Sequence, residues 1–240
     1  ITSAGLVEKD SIASITLTPS TTEVTDNGTI TPGVSAILNN DGDDTMDNYN
    51  IMYEKGKLVI KDKVYQLYDS SGTSTGYADS LSNAISKVSS GGTIKALKNN
   101  SSGAVTIDKN ITFNTNGKTI TLNGTITNKA TTTIIGSGTI YYSTTSTTAK
   151  VITNSSGILT ITDSILKSDS RFVITSSSGT VNINGGTYMV NASDCSSGCA
   201  PFMPTGGTVN INGGTYQGNK LNYLVINSGG TVNFGETKEL

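Results

Sequence analysis

Hydrophobic and polar residues near the C-terminal end alternate with a period of two. Val181 and Ile183 alternate with Asn182 and Asn184, and Val209 and Ile211 alternate with Asn210 and Asn212. That period belongs to strands buried on one face, not to helices. The alternation sits inside a block, Gly179-Thr-Val-Asn-Ile-Asn-Gly-Gly-Thr-Tyr188, that returns letter for letter as Gly207–Tyr216. A shorter copy begins at Gly230-Thr-Val-Asn-Phe234, and a divergent one is Gly157-Ile-Leu-Thr-Ile-Thr-Asp-Ser-Ile165. The aliphatic centres Ile161, Ile183, Ile211 and Phe234 are separated by 22, 28 and 23 residues. An upstream apolar signal ends at Ile152, Ile174, Met203 and Ile226, with separations of 22, 29 and 23. Gly, Ser and Asn punctuate the interval each time, as tight turns require.

A unit of this size cannot bury its apolar face alone, but it can when stacked on its neighbours. The pattern therefore predicts a parallel β-helix, one coil per unit, with equivalent residues about 4.8 Å apart. Val181, Val209 and Val232 are expected inside, and Thr160, Asn182, Asn210 and Asn233 in an outward ladder. The surplus of the 28-residue unit is assigned to a loop from Asn191 to Pro204. Short β-branched segments continue back to Val105, which gives roughly six coils. Residues 79–89 read as a helix: Asp79 or Ser80 can cap it, and Leu81, Ala84, Ile85 and Val88 form one apolar stripe. Laid over the open end of a β-helix, it would cover unpaired ladder groups.

Residues 1–62 carry a different pattern. Ser14–Thr18 and Gly33–Leu38 read as strands, and Asn48–Tyr53 with Lys57–Ile60 as a hairpin around Glu54-Lys-Gly56. A small antiparallel sandwich follows from such spacing. Residues 63–76 hold a strand, Val64–Tyr68, and a Ser/Gly/Thr stretch, and read as a linker or as the first edge of the next domain; 77–240 read as the β-helix.

Composition narrows the field. Only 14% of residues are charged, the net charge is −2, and there is a single arginine, Arg171. No basic footprint for nucleic acid is evident at that balance. The absence of histidine removes imidazole acid–base chemistry. No apolar run is long enough for a membrane-spanning helix. The chain opens mid-stream at Ile1, which reads as a piece of a longer exported protein, expected to be monomeric. Without a visible terminal cap, either the last residues cover the end of the solenoid or more coils follow.

Two resemblances enter here. The run Ser80-Leu-Ser-Asn-Ala-Ile-Ser-Lys-Val-Ser-Ser-Gly-Gly-Thr-Ile-Lys-Ala-Leu97 resembles the cap and first strand of pectate-lyase-like right-handed parallel β-helices. Gly5–Leu17, with Asn48–Ile60 closing the unit, resembles the immunoglobulin-like modules of MBG type found in tandem in bacterial cell-surface proteins. The fold class expected is thus all-β: a right-handed parallel β-helix with an N-terminal capping helix, after a small immunoglobulin-like β-sandwich.

Candidate chemistry is sparse. Pectate-lyase-like enzymes use Asp clusters and a basic residue, and glycosidases use paired carboxylates. Asp163 and Asp169 share a coil with Arg171, so a catalytic trio and solvated turn charges both stand as readings. Glu236 and Glu239 are the last acids. The repeated faces hold Asn, Thr and Gly where an active site would hold acids. Tyr188 and Tyr216, in the same place of successive coils, suit a sugar platform or a cover for the core edge. With Asn182 and Asn210 they are the candidate binding residues. Cys195 and Cys199 suit a disulfide pinning the long loop, free thiols or a redox pair. Asn39-Asn-Asp-Gly-Asp-Asp44 with Asp47 suits a plain turn or a calcium loop, although its spacing does not match an EF-hand. No cofactor or metal is expected. The function expected is a non-catalytic, surface or secreted adhesin-like rod from a bacterium of Gram-positive type, contacting glycans or cell-surface proteins. The alternative is a polysaccharide lyase or glycoside hydrolase of the pectate-lyase-like class.

Overall fold

The computed structural model describes residues 5–7, 9–23 and 25–235. By internal contacts the chain divides into Ile1–Asp62 and Lys63–Leu240.

The first unit contains five described strands: β1 (Ser11–Ile12), β2 (Ile15–Pro19), β3 (Thr25–Val34), β4 (Ile37–Leu38) and β5 (Gly56–Ile60). β1 pairs with β4, and β2, β3 and β5 form a second antiparallel sheet in that order. The hairpin expected between Asn48–Tyr53 and Lys57–Ile60 does not form. β5 pairs instead with β3, through Gly28↔Leu58 and Ile30↔Gly56. Two tyrosines of the expected first arm are engaged by side-chain bonds instead. Tyr49 donates to Asp10 Oδ2 (2.6 Å), and Tyr53 Oη accepts from Val34 N (3.4 Å). The expected strand 33–38 is split, and β3, the longest described strand of this unit, starts eight residues earlier. Asp26, Asn27, Gly28 and Pro32 concealed it, since all four are breakers in a single-sequence reading.

The second unit opens with a hairpin, β6 (Tyr65–Tyr68) and β7 (Ser74–Ala78), then helix α1 (Leu81–Lys87). Of the two readings of residues 63–76, the edge of the next domain is the one that forms, not the linker: β6 pairs antiparallel with the first coil strand, Leu67 opposite Ile94. Val64, Tyr65 and Leu67 are buried with it. Ser80 Oγ caps α1 by accepting from Asn83 N (3.3 Å), and Leu81, Ala84 and Ile85 are buried. Lys109 reaches the other end of the helix, donating to Ser86 O (3.0 Å) and Val88 O (3.1 Å). These are orphan carbonyls that a helix terminus must otherwise leave to water.

About six turns of a parallel β-solenoid follow. The first turn has β8 (Gly92–Ala96), β9 (Asn100–Ser102) and β10 (Val105–Ile107), and the second has β11 (Ile111–Asn114), β12 (Thr119–Leu122) and β13 (Ile126–Asn128). β14 (Thr131–Ile135), β15 (Thr139–Tyr142) and β16 (Ile152–Asn154) make the third, and β17 (Ile158–Ile161), β18 (Ile165–Ser168) and β19 (Phe172–Ser176) the fourth. Then come β20 (Thr180–Ile183), β21 (Thr187–Val190) and the long β22 (Ala200–Ile211), with β23 (Thr215–Gly218) and β24 (Gly229–Phe234) in the last described turn. Like strands of successive turns pair in parallel on three sides.

Register matches the repeat. Val181, Val209 and Val232 stack, as do Ile161, Ile183, Ile211 and Phe234. On the upstream signal the sequence spacing is one residue off. Ile174 lies opposite Phe202, not Met203, and Phe202 bridges to Val225. The surplus loop is also shorter than expected. Ala200–Pro204 belongs to β22 against β19, so only residues 191–199 lie outside strands. Corners are set by close backbone approach: Gly179 has φ +72°, and a Cβ there would lie 2.2 Å from Gly157 O. Among the described residues the core runs as one cluster from Val64 to Ile211.

Candidate functional site: a polar ladder face

The solenoid side made by β8, β11, β14, β17, β20, β22 and β24 turns every second residue outward. One outward column reads Thr93, Thr112, Thr133, Thr160, Asn182, Asn210 and Asn233. Beside it runs a second: Thr131, Ile158, Thr180, Thr208 and Thr231. Asn233 Nδ2 donates to Asn210 Oδ1, and Asn210 Nδ2 to Asn182 Oδ1, each at 2.8 Å. Asn182 Nδ2 reaches Thr160 Oγ1 at 3.4 Å. A carboxamide has two N–H donors and two acceptor lone pairs. The ladder consumes one of each at Asn210, so the remainder faces outward at the strand spacing of about 4.8 Å.

From β11 to β24 the outward residues of this face include no charged side chain. This is selective. The unit Lys63–Leu240 has 12 basic and 8 acidic residues, net +4, and Ile1–Asp62 has 4 and 10, net −6, which together give −2. The whole-chain balance conceals two oppositely charged units, and charge is nevertheless absent from the ladder. Asn182 and Asn210 are where the repeat placed them. The Thr112–Thr133 continuation of their column was not recognised, although Thr-x-Thr at 131–133 was its signal.

The tyrosines are elsewhere. Tyr188 lies in an inward column, Ile120, Ile140, Leu166, Tyr188 and Tyr216, and is 0% exposed. Its ring stacks on Tyr216 (centroids 5.6 Å, 21°), and Phe202 meets both edge-on. The hydroxyls donate to the corner carbonyls Gly185 O (3.0 Å) and Gly213 O. Burial pushes both phenols above their ordinary pKa. Tyr188 and Tyr216 are an inward stack, not an exposed sugar platform; the alternation of Tyr188 and Val190 with Thr187 and Met189 was the signal.

The acids do not converge. Asp163 and Asp169 flank opposite ends of β18, on the order of 15–20 Å apart at the strand rise. Asp163 accepts from Thr162 Oγ1 (3.0 Å). Asp169 accepts from Tyr141 Oη (2.5 Å), which raises the Tyr141 pKa, and Lys167 Nζ sits 4.3 Å over the same ring. Arg171 donates to Thr147 O (3.2 Å). Asp194 is held below the ordinary carboxyl range by bonds from Ser196 and by nearby Arg171 and Lys220. Asp163, Asp169 and Arg171 are thus three separate surface contacts. Glu236 and Glu239 lie outside the described residues, and so does the choice between a covered end and further coils.

Cys195 and Cys199 form a disulfide, Cα–Cα 5.2 Å. In the acidic loop, Asn39 Oδ1 accepts from Asp41 N and Asp43 N (2.9 Å each), and Asp44 Oδ1 from Ile37 N and Met46 N (3.3 and 3.0 Å). Its oxygens serve a turn, and among the described residues no three His, Cys, Asp or Glu side chains converge as for a metal ion. No helix of the described residues is long and apolar enough to cross a membrane. No known protein family, curated protein or solved structure matches the chain.

Proposed function

We propose that this chain is a non-catalytic part of a bacterial cell-surface or secreted protein, whose solenoid presents its polar ladder face to an extended, uncharged glycan or protein strand. The observation that carries this is the charge-free face itself, with unspent amide and hydroxyl groups in register from Thr112 to Asn233. An array with a fixed translational repeat suits a partner with its own repeat, laid along the solenoid axis. The placement of Asp163 and Asp169 at opposite ends of β18 favours binding over turnover, because glycoside cleavage needs its two carboxylates within about 5–9.5 Å of each other, flanking one sugar bond. The reading includes right-handed, pectate-lyase-like coiling with α1 as a lid, for which its buried stripe and the Lys109 contact speak. It also takes the antiparallel β2–β3–β5 sheet as an MBG-type stalk module.

A glycan array at physiological salt, where long-range attraction to the +4 unit is screened, tests the proposal. Wild type should retain extended neutral glycans, and N182A/N210A should lose about tenfold in affinity, the worth of one or two net hydrogen bonds. Retention indifferent to the double variant would refute the ladder. Uronate release from an acidic polysaccharide that Asp163→Ala or Arg171→Ala abolished would establish the enzyme instead.

A further inference from the structure

The third side of the solenoid is a strand in each earlier turn: β13, β16, β19 and the start of β22 pair in succession. In the last described turn no strand occupies that place. Residues 219–228 meet the turn beneath through one bridge, Val225 to Phe202. Ile226 N donates to Phe202 O (3.0 Å) and Ser228 N to Pro204 O (2.9 Å). Further anchoring gathers on the backbone of one residue, Cys199. Its carbonyl accepts from Asn222 N (3.2 Å) and Tyr223 N (3.1 Å), and its N–H donates to Asn222 Oδ1 (3.2 Å). Lys220 Nζ adds a bond to Ser193 O (2.7 Å) in the same loop. The loop fits closely: Gly198 has φ +88°, and a Cβ there would lie 2.8 Å from Ile226 Cδ1.

The Cys199 backbone is held from two sides: by β22, where Ala200 N donates to Arg171 O (3.0 Å), and by the five-residue ring closed by the disulfide with Cys195, braced by Gly198 N to Cys195 O (2.9 Å). Cys199 is fully buried, and Cys195 is half-buried. We propose that the Cys195–Cys199 disulfide is a redox-sensitive clamp on residues 219–228, and that a dithiol reductant releases this segment while the turns beneath stay folded. The reductant's thiolate bonds to the more accessible Cys195 sulfur, the Cys195–Cys199 bond breaks, and Cys199 leaves as a thiolate that takes up a proton. The reductant's second thiol then displaces Cys195 and closes its own disulfide, so one disulfide is reduced and one dithiol oxidised. With the ring open, Cys199 keeps only the support of β22, and the three anchors it offers the segment, two from the backbone of Asn222 and Tyr223 and one from the Asn222 side chain, weaken together. The clamp does not depend on what the ladder face binds.

Hydrogen exchange resolved by residue on the intact chain, with and without dithiothreitol, tests the clamp, complete reduction being verified by thiol titration. The Asn222 and Tyr223 amides should exchange about tenfold faster when reduced, a local opening, and β20 should not change. C195S/C199S should match the reduced protein. N222A should already exchange fast when oxidised and gain nothing from reductant. Unchanged Asn222 and Tyr223 amides after full reduction would overturn the proposal. Equal acceleration in β20 would also overturn it, since the disulfide would then stabilise the whole unit and clamp no segment.

Discussion

Single residues in this solenoid are constrained by the neighbour one turn away more than by the neighbour in sequence. Tyr188 is the clearest case. It fills the core between Leu166 and Tyr216, and Tyr188→Ala should cost about 3–5 kcal/mol, measured by urea denaturation, as for a large aromatic in a rigid core. Its phenol is raised above the ordinary 10.0 first by burial, then by Tyr216. Tyr65, bonded to Asn100 Oδ1 at 2.6 Å, is also raised, by burial. A neutral phenol is therefore favoured in the folded chain. That stability is fully present below pH 10 and is lost as pH rises from there toward the folded-state values. The urea midpoint should hold between about pH 8 and pH 9 and fall by about pH 11, and Y188F should flatten part of that fall. At the corner, Gly179→Ala meets both a positive φ and the Gly157 carbonyl, and should lose more than about 1 kcal/mol.

At the scale of elements, helix α1 is held at both ends by specific partners. Ser80 closes its start, and the Lys109 ammonium, from a solenoid corner 22 residues beyond Lys87, closes its end. Lys109→Met keeps the side-chain stem and removes two charge-assisted bonds. It should cost about 1.5–3 kcal/mol and raise hydrogen exchange in residues 84–88 before that in β14. Ser80 is one of two residues, with Asp79, whose place before an apolar stripe marks a cap, and the structure takes Ser80. Lys109 was not recognisable, because its role depends on a carbonyl brought close only by folding. The first unit teaches the same lesson in reverse. Asn48–Ile60 has the alternation of a hairpin, yet β5 takes β3 as its partner, and Tyr49 and Tyr53 spend their hydroxyls on Asp10 and Val34. Local pattern identified β5 as a strand but could not choose among partners.

At the scale of the molecule, quasi-one-dimensional stacking makes stability a sum over neighbouring turns. Ile183→Ala, in the middle of a stack with Ile161 and Ile211, should cost about 2–5 kcal/mol. Its effect on hydrogen exchange should be greatest in β17, β20 and β22, and fade toward β8. Uniform acceleration along all turns would mean that the solenoid opens as one block. The charge distribution is another property of the whole: −6 on the first unit and +4 on the second are averaged away in the chain's −2.

By itself the sequence determined the solenoid, its approximate number of turns and the register of the repeated strands β17, β20, β22 and β24. A repeat that stacks on itself writes each contact as a fixed spacing, so Val181, Val209 and Val232 are partners already on paper. The same arithmetic marked Asn182 and Asn210 as an outward ladder. Only the tertiary structure decided what breaks the period. It absorbed Ala200–Pro204 into a strand, chose the sheet edge over the linker for residues 63–76, set the Lys109 contact, turned Tyr188 inward and put Asp163 and Asp169 at opposite ends of a strand. Those outcomes rest on contacts between segments with no common spacing, and such contacts leave no periodic trace in the chain.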